Sequence, residues 1–348
     1  NEQLYMAIAR QSSEMALWEQ TQTGLGRVVD NAVEPVRPVR PRKPLVWLIG
    51  LVLGTSLALG YIFIREISSS EINSVEKLKK AGPSVLAVVP DMKPIIDQEF
   101  KGKEYYSVRG ADISTSLLML LDPISPVAES IRRLQSNLIY AEPDNPLNTI
   151  LITSANKGEG KSTVSTNLAV AMAEAGKRVL LIDCDFRRNR VHRVLGLNES
   201  PGITELLFDE TTKGQSIRPT VIPNVFALTT GKRPPNPAAL SRSQKLKALI
   251  LELQDEFDHI IIDSAPYGII TDGAPLIQLS DAVVVVVRFN ETSQSELAQS
   301  LENLRNIRAN VVGTVLLGYD HKKSSGYYYT DNYYKHAYKR YYEYTAKG

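Results

Sequence analysis

At 348 residues the chain is long enough for about two domains of roughly 150 residues each. Its 40 basic and 38 acidic residues leave a net charge of +2, too small an excess to drive counterion release, which argues against nucleic acid as an obligate partner. The lone cysteine, Cys184, excludes an intrachain disulfide and suits a reducing compartment.

The chain opens on Asn1 rather than methionine, so the expectation is a piece of a longer protein. Residues 1–34 read as helical, with Leu4, Ile8, Met15, Trp18 and Leu25 at loose helical spacing. Pro35, Pro38, Pro41 and Pro44 then recur every third residue. In a polyproline II helix, with three residues per turn, that spacing aligns the prolines on one face and Arg37, Arg40 and Lys43 on another, so residues 35–44 read as a stiff spacer. Residues 45–64, LVWLIGLVLGTSLALGYIFI, carry no charge and are long enough as a helix to cross a hydrocarbon core of roughly 30 Å, with Trp47 and Tyr61 suited to the two interfaces. Residues 65–125 are mixed: SVLAVVP reads as a short strand, KGKEYYSVRGAD as a polar stretch, and the whole as a juxtamembrane linker wrapping onto the next domain.

From residue 126 to 318 strand and helix alternate. Strands are predicted at 149–154, 178–183, 225–228, 259–263, 282–287 and 311–317, and helices at 162–175, 238–256 and 293–307. Near-continuous Val, Ile and Leu in the strands predicts burial on both faces, hence an α/β fold with a mostly parallel sheet flanked by helices. Residues 319–348 form a tail crowded with Tyr327, Tyr328, Tyr329, Tyr333, Tyr334, Tyr338, Tyr341, Tyr342 and Tyr344. Too few apolar neighbours separate these rings for a core, and their phenols are candidate phosphoacceptors.

The strand at 149–154 runs into SANKGEGKST and then a helix, the context a phosphate-binding loop requires. Asn156, Lys157, Gly158, Glu159, Gly160, Lys161, Ser162 and Thr163 are the expected nucleotide-binding residues, with Lys161 reaching the β- and γ-phosphates and the Ser162 hydroxyl a ligand of Mg²⁺. Ala155 stands where the motif has its first glycine. In LLIDCDFRR, Asp183 and Asp185 are two apart and share one side of an extended strand. Two carboxylates there are costly without a cation or proton, so one suits the metal and one a general base, with the choice of base left open. HIIIDSAP puts Asp263 at the matching strand end, completing an expected metal set of Ser162, Asp183 and Asp263. Taken singly, each aspartate also suits a helix or turn cap.

These motifs resemble those of the bacterial tyrosine kinases, the BY-kinases fused to Wzc-type polysaccharide co-polymerases. LLIDCDFR, with Arg187, matches the family's Walker A′ pattern and IIIDSAP its Walker B pattern, while GKRPPNPAAL resembles its proline-rich loop and GITELL its short helix. The resemblance makes the domain a P-loop NTPase and Lys161, Asp183 and Asp185 its catalytic residues. Residues 1–34 become the end of a periplasmic helical region and 45–64 the last membrane helix. It implies an ATP- and Mg²⁺-dependent autokinase of a bacterial inner membrane, with a cytoplasmic kinase domain phosphorylating the tail of a neighbouring subunit in a homo-oligomeric ring. Implied partners are an outer-membrane polysaccharide export protein, a polymerase and a cognate phosphotyrosine phosphatase.

The ring contact would use Glu129, Arg132 and Arg133, although Gln135 stands where that motif ends in arginine. Leu317 stands in place of an adenine-side asparagine. Arg37, Arg40, Arg42 and Lys43 would put the side before the span in the cytoplasm, which an earlier membrane helix reconciles with a cytoplasmic kinase. Two alternatives stay open: a membrane-anchored ParA/MinD-like ATPase, against which Asn156 replaces the signature lysine, and a non-catalytic regulator of polysaccharide chain length.

Overall fold

The computed structural model describes residues 2–22, 42–68, 70–142, 145–209, 213–269 and 273–320. The spacer prolines Pro35, Pro38 and Pro41, and all nine tail tyrosines, lie outside them. The chain divides into two units, Asn1–Ser68 and Ser69–Gly348.

The first unit contains helices Glu2–Gln22 and Lys43–Ser68. Leu4, Ile8, Met15 and Trp18 on the former are exposed. The latter starts at Lys43, so Pro44 sits in the first turn, where its missing N–H has no intrahelical partner to lose. Lys43–Tyr61 is long and apolar enough to cross a membrane. Its Thr55 hydroxyl donates to the Leu51 carbonyl at 2.7 Å, which satisfies the polar group within the helix.

The second unit is built on ten strands among the described residues: β1 Val85–Pro90, β2 Tyr105–Val108, β3 Ala111–Ser114, β4 Thr149–Ser154, β5 Val179–Asp183, β6 Ile217–Pro219, β7 Val225–Leu228, β8 His259–Asp263, β9 Ala282–Arg288 and β10 Val311–Tyr319. Eight make one sheet in the order β1-β10-β9-β4-β8-β5-β7-β6, parallel throughout except for the β6–β7 pair. Alternation along each strand divides the core. Ile150, Ile152, Val284 and Val286 pack on one face with helices Pro126–Ala141 and Lys161–Glu174. Leu151, Val283 and Val285 pack on the other with Gln244–Gln254 and Gln294–Asn306. The chain leaves β4 toward β5 on one side while β9 and β10 lie on the other, so the carboxyl end of β4 borders a topological switch point, where open α/β sheets bind ligands.

Two expected elements differ. The helix predicted over 238–256 is two, Pro237–Ser241 and Gln244–Gln254, because the Ser243 side chain accepts from the Lys245 N–H and starts a new helix. The stretch read as a linker is much more than a tether. Its expected strand SVLAVVP is β1, here the parallel edge partner of β10, and the segment adds the antiparallel β2–β3 hairpin and buries Ile72, Leu78, Ile95, Ile113, Leu117 and Met119. Asn167, inside the helix after the loop, accepts from the Met119 N–H and donates to the Ser116 carbonyl, tying this segment to the nucleotide domain.

Candidate active site

The loop between β4 and helix Lys161–Glu174 turns through Gly158 at φ 85° and Gly160 at φ 93°, both in the left-handed region that glycine enters without penalty. Gly160 is also confined, since a Cβ there would lie 2.1 Å from Leu317 Cδ2. Ala155, by contrast, is buried and has no positive φ, so the motif's first glycine is not needed at this position. The first N–H groups of the following 14-residue helix lack intrahelical acceptors and carry the positive end of its dipole, which favours an anion.

Lys157, Gly158, Gly160, Lys161, Ser162 and Thr163 line a cleft of about 880 Å³. The side chains of Asn156 and Glu159 turn away from it. Asn156 hydrogen-bonds toward Glu296, while the Glu159 carboxylate accepts from the Asn156 N–H at 2.9 Å and from the Thr292 hydroxyl. Thr292 in turn accepts from the Arg288 N–H, so Glu159 braces the loop against the β9 end. Burial pushes the Glu159 carboxyl up.

The three aspartates come together at one sheet edge in different environments. Asp183 and Asp263 face each other in register across β5 and β8. Asp263 is fully buried and accepts from the hydroxyls of Ser162 at 2.5 Å and Ser165 at 3.3 Å. Burial raises it to about 6, opposed by the Lys161 ammonium. Asp183 is raised well above the carboxylate range, first by burial and then by the Asp263 charge. Its two oxygens are taken by backbone: Oδ1 by the Asp185 N–H, and Oδ2 by those of Arg190 and Val191. Asp185 accepts the Arg187 and Arg188 N–H groups on Oδ1 and reaches the cleft.

The Ser162 and Asp263 oxygens are the hard donors that Mg²⁺ takes, and a cation beside them would offset the cost of a buried carboxylate. Among the described residues no group of three or more His, Cys, Asp or Glu side chains could hold a metal ion. Cys184 and His259 serve packing: burial raises the thiol and lowers the imidazole, whose Nδ1 lies 2.9 Å from the Leu147 carbonyl.

Of the residues expected at a subunit contact, Glu129 is exposed and Arg133 half-buried on helix Pro126–Ala141. Arg132 pairs with Glu174 of its own chain at 3.3 Å and donates to the Pro123 carbonyl. Sequence reasoning missed several cleft residues. Lys93 and Lys103 come from the segment read as a linker, and Arg188, Arg190 and Arg288 from the ends of β5 and β9. For Arg188 and Arg190 the run FRRNR after the two aspartates was the available signal.

Two family models match the chain, "AAA domain" over residues 147–315 and "G-rich domain on putative tyrosine kinase" over residues 1–67. The tyrosine-protein kinase YwqD of Bacillus subtilis is 33% identical over 65% of this chain and 96% of its own length. The tyrosine-protein kinase ptk of Acinetobacter johnsonii is 30% identical over 94% of this chain, which spans only 44% of that relative. Among solved structures, the kinase domain of the Escherichia coli tyrosine kinase ETK superposes with a TM-score of 0.65 at 27% identity, covering 73% of this chain and 97% of that one.

Proposed function

The chain belongs to the bacterial tyrosine-protein kinase family, and from that premise we propose that it transfers the γ-phosphate of Mg·ATP to tyrosines of its own C-terminal cluster. The observation that carries this reading is the division of labour among the aspartates. Asp185 alone of the three reaches the cleft that the phosphate loop lines, while Asp183 spends both oxygens on backbone N–H groups.

Lys161 and the first turn of its helix hold the phosphates and neutralise their charge. Ser162 and Asp263 would hold Mg²⁺, which would supply further neutralisation of the phosphates' charge. A tyrosine phenol, with an ordinary pKa near 10, gives its proton to the Asp185 carboxylate as its oxygen bonds to the γ-phosphorus. The bond from that phosphorus to the bridging oxygen breaks, and ADP leaves with the electron pair. Asp183 acts as a positioning residue for the loop that carries Asp185.

In the same reading helix Lys43–Ser68 anchors the protein in a bacterial inner membrane, with the kinase unit in the cytoplasm where ATP is. The chain works in a homo-oligomeric ring through Glu129, Arg132 and Arg133, phosphorylating a neighbour's tail. It thereby regulates polysaccharide polymerisation and export beside an outer-membrane export protein, a polymerase and a phosphotyrosine phosphatase. The match of residues 1–67 to a domain found with tyrosine kinases supports the membrane-side assignment. Each phosphate adds about −1.5 to −2 charge to a tail in which Lys322, Lys323, Lys335, Lys339, Arg340 and Lys347 outnumber Asp331 and Glu343, so about three phosphates reverse its sign.

The test is incubation of the full chain with Mg·ATP and mass spectrometry of the tail. Phosphotyrosine is expected in the wild type and absent in Lys161→Ala. Equal labelling in that variant would refute the assigned site.

A further inference from the structure

The segment after β5 is held from beneath by carboxylates. Asp183 and Asp185 together accept five backbone N–H groups, those of Asp185, Arg187, Arg188, Arg190 and Val191. This fixes the path of the chain that carries Arg188 and Arg190, both exposed and both lining the cleft beside Asp185. Among the described residues neither guanidinium makes a hydrogen bond or an ion pair. Two permanent cations on a pinned backbone, beside the carboxylate that takes the acceptor's proton, form a preorganised site for a second phosphate.

The acceptor segment poses a charge problem. From Lys322 onward it carries Lys322, Lys323, Lys335, Lys339, Arg340 and Lys347 against Asp331 and Glu343. An unmodified tail therefore brings net positive charge to a cleft whose lining has eight basic side chains against five acidic ones, Asp91, Asp97, Glu104, Asp185 and Glu291. A tail that holds one phosphotyrosine presents a doubly charged anion beside further phenols. In an extended chain, alternate side chains share a side and lie about 7 Å apart, as Tyr342 and Tyr344 would.

We propose that Arg188 and Arg190 form a phosphotyrosine-binding subsite beside the acceptor position, so that one modified tyrosine of the C-terminal cluster docks the tail for modification of the next. This rests on the kinase reading of the cleft and adds to it a preference for primed substrate. Phosphorylation of the cluster is then self-accelerating, with a slow first event and faster ones after it.

The experiment uses the full chain with Mg·ADP, which lacks the transferable phosphate, and two peptides of residues 325–348, one unmodified and one phosphorylated at Tyr342. Fluorescence anisotropy is expected to give at least about tenfold tighter binding of the phosphopeptide, a difference ascribable to charge-assisted guanidinium contacts. Free phosphotyrosine should displace it and tyrosine should not, an arm that needs no variant. The double substitution Arg188→Ala, Arg190→Ala should abolish the difference while leaving Mg·ADP affinity unchanged. The pair Arg188→Lys, Arg190→Lys, which keeps the charge if the alanine pair fails to fold, should retain part of it. Equal affinity of the wild type for both peptides overturns the proposal. Loss of Mg·ADP affinity in the alanine pair also overturns it, by assigning the arginines to the nucleotide's phosphates. Because binding is read without turnover, a chain that never labels its own tyrosines would refute the kinase reading and leave this measurement standing.

Discussion

Asp183, Asp185 and Asp263 share one chemistry, and their surroundings separate their uses. Asp185→Asn removes the proposed proton acceptor and should lower the rate of tyrosine labelling by about 10²–10⁴-fold with little change in melting temperature. Asp183→Ala leaves three backbone N–H groups without their acceptor, at roughly 1–3 kcal/mol for each that stays unsatisfied, and should show chiefly as a lower melting temperature. Asp263 makes a pH prediction. Its folded value of about 6 lies above the unfolded 3.8, so the folded state binds more protons between them. This carboxyl's contribution is therefore present below the unfolded value and is lost as pH rises toward about 6. Thermal melts at pH 5 and pH 7 should show a smaller fall for Asp263→Asn than for the wild type, and Mg·ADP should recover more stability at pH 7 in the wild type.

The phosphate loop's shape depends on two neighbours distant in sequence. Leu317 of β10 closes over Gly160, and Thr292 bonds to Glu159. Gly160→Ala meets both a positive φ and the Leu317 side chain. It should cost roughly 1–2 kcal/mol for the left-handed backbone alone, with the overlap added. In the double variant Gly160→Ala, Leu317→Ala, calorimetric Mg·ADP affinity should return part of the way because the overlap is relieved, while the cavity left by the buried Leu317 side chain keeps the melting temperature low. The same contact gives Leu317 a structural use at the position where the family resemblance implies an asparagine. Asn156, which departs from the ParA/MinD lysine, likewise directs its side chain toward Glu296 rather than into the cleft.

At the scale of the molecule, the kinase unit starts well before its motifs. β1 covers the β10 edge, and Ile95, Ile113, Leu117 and Met119 fill the core beneath helix Lys161–Glu174. Expression of residues 69–348 should give a soluble, cooperatively melting protein. A fragment starting at residue 126 should aggregate, because it exposes both the strand edge and that apolar face. Sedimentation and thermal melting of the two fragments separate these outcomes.

Sequence alone determined the α/β class, the seven strands that pair in parallel to within a residue or two, the phosphate loop and the convergence of three aspartates on one edge. These follow from local pattern: runs of Val and Ile need no partner to be recognised, and the order of strand, glycine loop and helix is itself the signal. Only the tertiary structure decided which aspartate faces the cleft, because that depends on which backbone N–H groups the loop turns toward each carboxylate. It also paired the strand at 85–90 with the edge of the sheet and placed Arg188 and Arg190 in the cleft lining. Strand pairing and loop direction arise between residues far apart in the chain, where local pattern carries no information.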